Sequence, residues 1–372
     1  MGRGARVGRG RRRRARVLER RLDALLWDQR DPGNPLRKTL LGRLFFREQV
    51  LGCLRAQLLA TAFVETHPEV LSRDLGALAV VTGHPRTSST ALHHALCAHP
   101  DATCLRLFEA LNPVRPEGGW LSGLDLRELV AHVAVSSQAW MRPLFALMFP
   151  FEPRVPFEEI FLTAGLFSSQ QWVFGFAGDR YASWYATTDH LPAYQWVKAV
   201  FQVMDAQAGR PARPVPGHVR ILKSPQHMIN LPAIKAVFPH ARLIMTNRKD
   251  LVKVAESLLA ILSYGMGSSC SGVDPKVLGR LVLRDMRRCL DRFDAASESA
   301  AGLLHVHFED FCANSTEVVE RTVRAAGLRA LSAPDMQRAL QSVPKREGAT
   351  AINYDLAVWG VSREQAEAAV RY

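Results

Sequence analysis

Residues 77–90 read Ala77-Leu78-Ala79-Val80-Val81-Thr82-Gly83-His84-Pro85-Arg86-Thr87-Ser88-Ser89-Thr90. The first six form a short apolar, β-branched run that stops at a glycine, the pattern of a parallel strand buried on both faces. A loop over 84–88 follows, and residues 89–98 have helical character. Such a strand–loop–helix points backbone N–H groups at an anion, and the helix N-terminus adds about half a positive charge. Thr87, Ser88, Ser89 and Thr90 bring hydroxyls, and Arg86 brings a fixed cation able to grip two oxygens. A hydroxyl-rich helix cap is the plainer reading of the same residues. The Lys-Ser/Thr end of a Walker A loop is replaced by Ser89-Thr90 and the cation sits earlier, which argues against an ordinary ATPase.

Three more strand candidates, residues 219–222, 242–246 and 303–308, each precede a helical stretch, near 231–237, 251–261 and 318–326. Strands alternating with helices predict an α/β fold with a central parallel sheet flanked by helices. Ligands of such sheets bind beyond the carboxyl ends of the strands, and two more polar clusters fall there. Leu222-Lys223-Ser224-Pro225-Gln226-His227 closes one strand. A lysine there is either solvated or set to meet charge developing on a leaving oxygen. Thr246-Asn247-Arg248 closes another, and the helix after it carries Ser257, a pairing that makes a second anion site.

Outward from this centre, residues 18–66 have apolar positions at three- and four-residue intervals, broken by Asp31-Pro32-Gly33-Asn34-Pro35. A helical preamble over 22–74 is expected. The section 105–207 is rich in aromatics, notably at 157–167 and 172–196, and is expected to be a mostly helical insertion on the acceptor side of the cleft. Residues 210–216 hold three prolines and read as a surface loop.

The chain has 372 residues, 48% hydrophobic and 22% charged, enough for a large core. Its net charge of +13 is mostly local: residues 1–21 hold ten arginines against Glu19, a charge of +9, and 22–372 carry the remaining +4. The body is therefore not a basic nucleic-acid surface, and no specific nucleic-acid partner is expected. The arginine-rich segment 1–21 lacks core-forming residues and reads as a disordered arm, with organelle targeting or contact with acidic lipid or RNA as its other uses. It has no apolar h-region of a secretory signal. The uncharged stretch 160–178 reaches membrane-span length, but Ser168, Ser169, Gln170 and Gln171 at its centre exclude a transmembrane reading. Six dispersed cysteines, without C-x-x-C or His/Cys ligand spacing, fit reduced thiols in a cytoplasmic setting and no bound metal.

Taken together, the three clusters resemble the sulfotransferases that use 3′-phosphoadenosine 5′-phosphosulfate, the broad family with P-R-S/T-G-T-T, L-K-S-P-x-H and T-H-R-D-P motifs. Phe108-Glu109-Ala110-Leu111-Asn112-Pro113 is similar to that family's W-E-x-x-x-P segment, and Pro156-Phe157-Glu158-Glu159-Ile160 to its E-E-x stretch. Phe238-Pro239-His240-Ala241-Arg242 looks like F-P-D-A-R, and residues 354–372, with Trp359-Gly360-Val361, look like the family's ending. The resemblance runs from about residue 75 to 372.

The resemblance implies a P-loop-containing nucleotide triphosphate hydrolase-like (sulfotransferase) architecture over 75–372. It implies sulfuryl transfer, without a metal, to a hydroxyl or amine of a small molecule or carbohydrate. Pro85, Arg86, Thr87, Ser88, Ser89 and Thr90 would hold the 5′-phosphosulfate, and Lys223 would stabilise the leaving oxygen. Arg248 and Ser257 would hold the 3′-phosphate, with Lys345, Arg346 and Gly348 completing that site. Two residues are candidate bases, Glu109, which is preferred, and His227, whereas His93, His94 and His190 read as packing or surface residues. A homodimer is an assembly the resemblance allows. The sequence also departs from the motifs: Ser88 stands for the loop glycine, Asn247 and Lys249-Asp250 replace family residues, and Ser257 lies nine positions after Arg248, one more than usual. Either a local bulge absorbs the extra residue or Glu256 takes the serine's place. These departures keep two alternatives open, a catalytically weak nucleotide-binding or scaffold protein of the same fold and, further off, a P-loop small-molecule kinase.

Overall fold

The computed structural model describes residues 2–117, 125–148, 152–175, 178–266, 269–296, 302–344 and 354–370, with residues 2–15 as backbone alone. Five strands form one sheet: β1 (Ala77–Gly83), β2 (Ala102–Cys104), β3 (Val219–Lys223), β4 (Arg242–Asn247) and β5 (Leu304–His307). Their order is β2-β3-β1-β4-β5, and every neighbouring pair is parallel. The register sets Val81 beside Lys223 and Gly83 beside Thr246, so the carboxyl ends of β3, β1 and β4 open side by side. β2 is the strand that the sequence does not announce, because three residues are too few to show a period.

Helices α1 (Gly2–Arg30) and α2 (Leu40–Thr66) precede β1, and α3 (Ser89–Cys97) joins β1 to β2. Between β2 and β3 lie α4 (Leu107–Leu111), α5 (Arg127–Met141), α6 (Pro143–Met148), α7 (Ile160–Ala164), α8 (Gln170–Gly175), α9 (Asp179–Thr187) and α10 (Leu191–Gln207). α11 (Leu231–Val237) follows β3, and α12 (Leu251–Met266) and α13 (Pro275–Ala295) follow β4. After β5 come α14 (Phe308–Ala313), α15 (Ser315–Ala326), α16 (Ala333–Gln341) and α17 (Arg363–Val370).

Side chains alternate across a strand, and β1 uses both faces. Leu78 and Val80 join Leu222 and Leu243 against Val197, Val200 and Phe201 of α10 and Leu231 and Ile234 of α11. Ala79 and Val81 point the other way, against Leu92 and Leu96 of α3 and Val319 and Val323 of α15. Burying each such Val, Leu or Ile contributes about 1.5–3 kcal/mol, so the central strand is held rigidly from both sides. None of the helices, among the described residues, is long and apolar enough to cross a membrane.

The amino-terminal segment differs from expectation. Residues 2–30 form one continuous helix, so the boundary expected at residue 21 falls inside α1. Arginine is among the better helix formers, and a helix anchored at one end propagates at little cost. The anchor is plain: Arg21 is buried and donates to the Asp189 carbonyl at 3.0 Å, and Ala24 and Leu25 are fully buried. Asp28 accepts from the backbone N–H groups of Gly178 and Tyr181, each at 2.8 Å, and so caps the start of α9.

Candidate active site

Gly83 ends β1 at φ 132°, and a Cβ there would overlap the Thr246 carbonyl oxygen of β4, so only glycine lets the two strands close up. Arg86 and Ser88 then both adopt left-handed backbone, at φ 69° and 66°, costing about 1–2 kcal/mol each for residues that carry a Cβ. Ser88 thus has the conformation for which the family's glycine is suited. Thr87 stitches the loop together: its hydroxyl donates to the His84 carbonyl at 2.7 Å and lies 2.7 Å from Thr246 Oγ1. Ser88 is the N-cap of α3 yet makes no side-chain capping bond, and the first turn of α3 holds no acid. The helix end therefore faces the loop with its partial positive charge intact.

At the end of β3, Lys223 is almost wholly buried, and its Nζ donates to Thr90 Oγ1 at 3.1 Å and pairs with Glu158 Oε1. The backbone N–H of Lys223 donates to Glu159 Oε2 at 2.8 Å. The same oxygen lies 3.2 Å from His227 Nε2, and His227 Nδ1 lies 2.7 Å from the Tyr194 hydroxyl. This inner chain is sealed from solvent, and burial pushes the Glu159 carboxyl above its ordinary range, with its bond to His227 acting in the opposite sense. Its effect is to fix the strand end that presents Lys223.

Beside these groups lies a cavity of about 310 Å³. Arg86, Ser89, Thr90 and Glu158, with Pro85, form its polar end, and residues of α2, α4, α5, α6, α7, α8 and α12, with Arg142, Phe157 and Pro225, line the rest. Neither base expected from the sequence is among the described residues of this wall. Glu109 sits at the third position of α4, where its Oε2 accepts the Arg106 backbone N–H at 2.9 Å, the reciprocal bond of a helix cap. His227 is fully buried between Tyr194 and Glu159. The carboxylate that does meet both the cavity and the lysine is Glu158, quoted for the resemblance but given no role there. Two adjacent glutamates at the mouth of a helix were the available signal; nothing in the spacing says which of them faces Lys223.

Ser257 comes to the loop after all. α12 runs unbroken through it, and Ser257 Oγ accepts from Arg86 Nε at 2.8 Å. Glu256 turns aside to pair with Lys253 at 2.7 Å. The guanidinium of Arg248 lies over the Phe308 ring, 4.4 Å from its centre. His93, His94 and His190 are all buried. Lys345, Arg346 and Gly348 lie outside the described residues.

The sequence profile of the sulfotransferase family matches residues 79–332, which span β1 through the start of α16. Comparison with curated proteins returns no significant match. Among solved structures, the chain is similar to the sulfotransferase STF1 of Mycobacterium tuberculosis, with a TM-score of 0.78 at 21% identity over 95% of this chain and 91% of that one. It is also similar to the sulfotransferase STF9 of Mycobacterium avium, with a TM-score of 0.75 at 24% identity over 92% of this chain and 86% of that one. At that identity the structural likeness establishes the shared architecture, and the profile match over most of the chain places the protein in the sulfotransferase family.

Proposed function

We propose that this protein transfers a sulfuryl group from 3′-phosphoadenosine 5′-phosphosulfate to a hydroxyl of a small acceptor. The observation that carries the reading is the meeting of Arg86, Thr90 and Glu158 at the polar end of one cavity, with Lys223 at the end of β3 bonded to both Thr90 and Glu158. An anionic donor fits the residues present. Two left-handed residues in one loop make a concavity of backbone N–H groups, and the start of α3 has neither a side-chain cap nor a competing acid. The bound nucleotide supplies an electrophilic sulfur and a leaving phosphate.

Each residue then has a stated task. Pro85 to Thr90 form the cradle, with Arg86 as its fixed cation. Lys223 carries positive charge to the oxygen on which negative charge grows, and Thr90 and Glu158 hold its ammonium in place. Glu158 accepts the hydroxyl proton, because it is the carboxylate that lines the cavity and touches the lysine. Glu159 and His227 position β3 from behind. Ser257 steadies Arg86, and Arg248 is assigned to the 3′-phosphate together with Lys345, Arg346 and Gly348. Transfer of this kind depends on in-line placement and neutralised charge rather than on a covalent enzyme intermediate.

Titration calorimetry with adenosine 3′,5′-bisphosphate and with ATP tests the assignment. The bisphosphate should bind at least tenfold more tightly than ATP, with or without magnesium. Arg86→Ala should weaken it by about 2–4 kcal/mol. Preference for magnesium-ATP would instead support a kinase, and equal affinity in wild type and variant would remove the loop from the nucleotide site.

A further inference from the structure

The cavity wall is chemically lopsided. Away from its polar end it is lined mostly by aromatic and aliphatic side chains, including Phe145, Phe157, Phe161, Phe174, Leu258 and Leu262, with the uncharged amides Gln49, Gln138, Gln170 and Gln171 among them. The charged groups among its described residues are Arg86 and Glu158, which belong to the reacting end, and Arg142. Arg142 is turned to protein partners: it stacks on Phe45, 5.0 Å from the ring centre, and donates to Ser269 Oγ. A sugar placed here would bury several hydroxyls against hydrocarbon, and each one left without a partner weakens binding roughly 5- to 150-fold. An apolar skeleton gains about fourfold for each methylene it buries.

A second observation narrows the class. Gln170 and Gln171, at the start of α8, both line the cavity, and the Oε1 atom of each is buried without a hydrogen-bond partner among the described residues. Each amide nitrogen gives one of its two N–H groups to the protein, Gln170 Nε2 to Cys289 Sγ at 3.2 Å and Gln171 Nε2 to Gln49 Oε1 at 3.4 Å. The two unmatched oxygens leave acceptor capacity in a mostly apolar wall, and buried acceptors call for a donor.

We infer that the acceptor of this site is a largely apolar alcohol that carries one further hydrogen-bond donor on its skeleton, and not a sugar. The inference rests on the sulfuryl-transfer reading for its chemistry, but cavity recognition can be measured without transfer.

The probes are n-alkanols of increasing length, the matching alkanediols, and trehalose. Each is titrated against the full-length protein saturated with adenosine 3′,5′-bisphosphate, then offered for sulfation with the labelled donor. Alkanol affinity should climb about fourfold per methylene until the cavity is filled. A diol of fitting length should bind at least fivefold more tightly than its alkanol, and trehalose at least 100-fold more weakly. Gln171→Leu should reduce the diol's advantage over its alkanol, with nucleotide binding unchanged as the control for folding. The wild-type series decides the matter even if that variant misfolds. Alkanol binding with no dependence on chain length to a protein that still binds the nucleotide, or sulfation of trehalose in preference to the alcohols, would overturn the acceptor class and leave the transfer reading intact. Length-dependent alcohol binding with no sulfate ester formed would support the class and count against the transfer reading.

Discussion

At Ser88 a side chain occupies left-handed backbone that favours glycine, and the sequence had marked this position as a departure without being able to say what φ it takes. Ser88→Gly should therefore raise stability by about 1 kcal/mol while leaving donor affinity within a fewfold, as read by thermal melting and bisphosphate titration. A destabilised glycine variant would mean that the serine hydroxyl holds the loop. A pair of glutamate variants tests the choice of base. Glu158→Gln should lower turnover by about 10²–10⁴ with the nucleotide still bound, because it removes the proton acceptor and keeps the shape. Glu109→Gln, whose amide oxygen can still accept the Arg106 N–H, should leave turnover nearly intact and stability within about 1 kcal/mol. The reverse ranking would return the role to Glu109. From the sequence Glu109 is preferred to His227 and Glu158 has no role, because linear spacing shows order along the chain but not which carboxylate a buried lysine meets across the sheet.

The elements divide by how strongly their pattern is written. β1, β3, β4 and β5 were readable as apolar runs ending in polar clusters, and their observed limits fall within two residues of the expected ones. α12 was located as well, but its facing was not: the count from Arg248 left Ser257 and Glu256 as rivals, and the helix phase brings Ser257 to Arg86. β2 has no period to detect. α13 went unread although Leu278, Val282, Met286 and Leu290 recur at four-residue intervals and are buried, a stripe hidden among many charged residues. In α1 the carboxyl-terminal part was readable as helix from its apolar spacing, and Arg21, Leu25 and Asp28 anchor it; composition alone gave the arginine-rich residues before it as an arm and carried no sign that the helix extends through them. Asp28→Ala should cost about 1–2 kcal/mol by uncapping α9, measured by chemical denaturation, and removal of residues 2–15 should change neither stability nor turnover appreciably. A truncated protein that loses turnover on a small acceptor would assign the arginine-rich end a part in catalysis.

The molecule as a whole carries several histidines held neutral by burial. Desolvation pulls His84 and His94 down to about 4 and His190 to about 3, from an ordinary value near 6.5. Between those values the unfolded chain binds protons that the folded one refuses, so stability rises with pH across the interval and is lost as pH falls from about 6.5 toward 4. Thermal melting from pH 7.5 to 5 should show a steady decline at constant ionic strength; a flat profile would mean that these rings ionise freely in the fold. The central claim is that the meeting of β1 and β3 is a sulfuryl-transfer site in which Lys223 neutralises the leaving oxygen. Its most direct measurement compares wild type with Lys223→Ala in turnover of labelled 3′-phosphoadenosine 5′-phosphosulfate to a sulfated alcohol, with bisphosphate affinity measured on both. The account predicts transfer by the wild type and a fall of about 10²–10³ in the variant at nucleotide affinity within threefold. Undiminished transfer by a folded Lys223→Ala protein would contradict it.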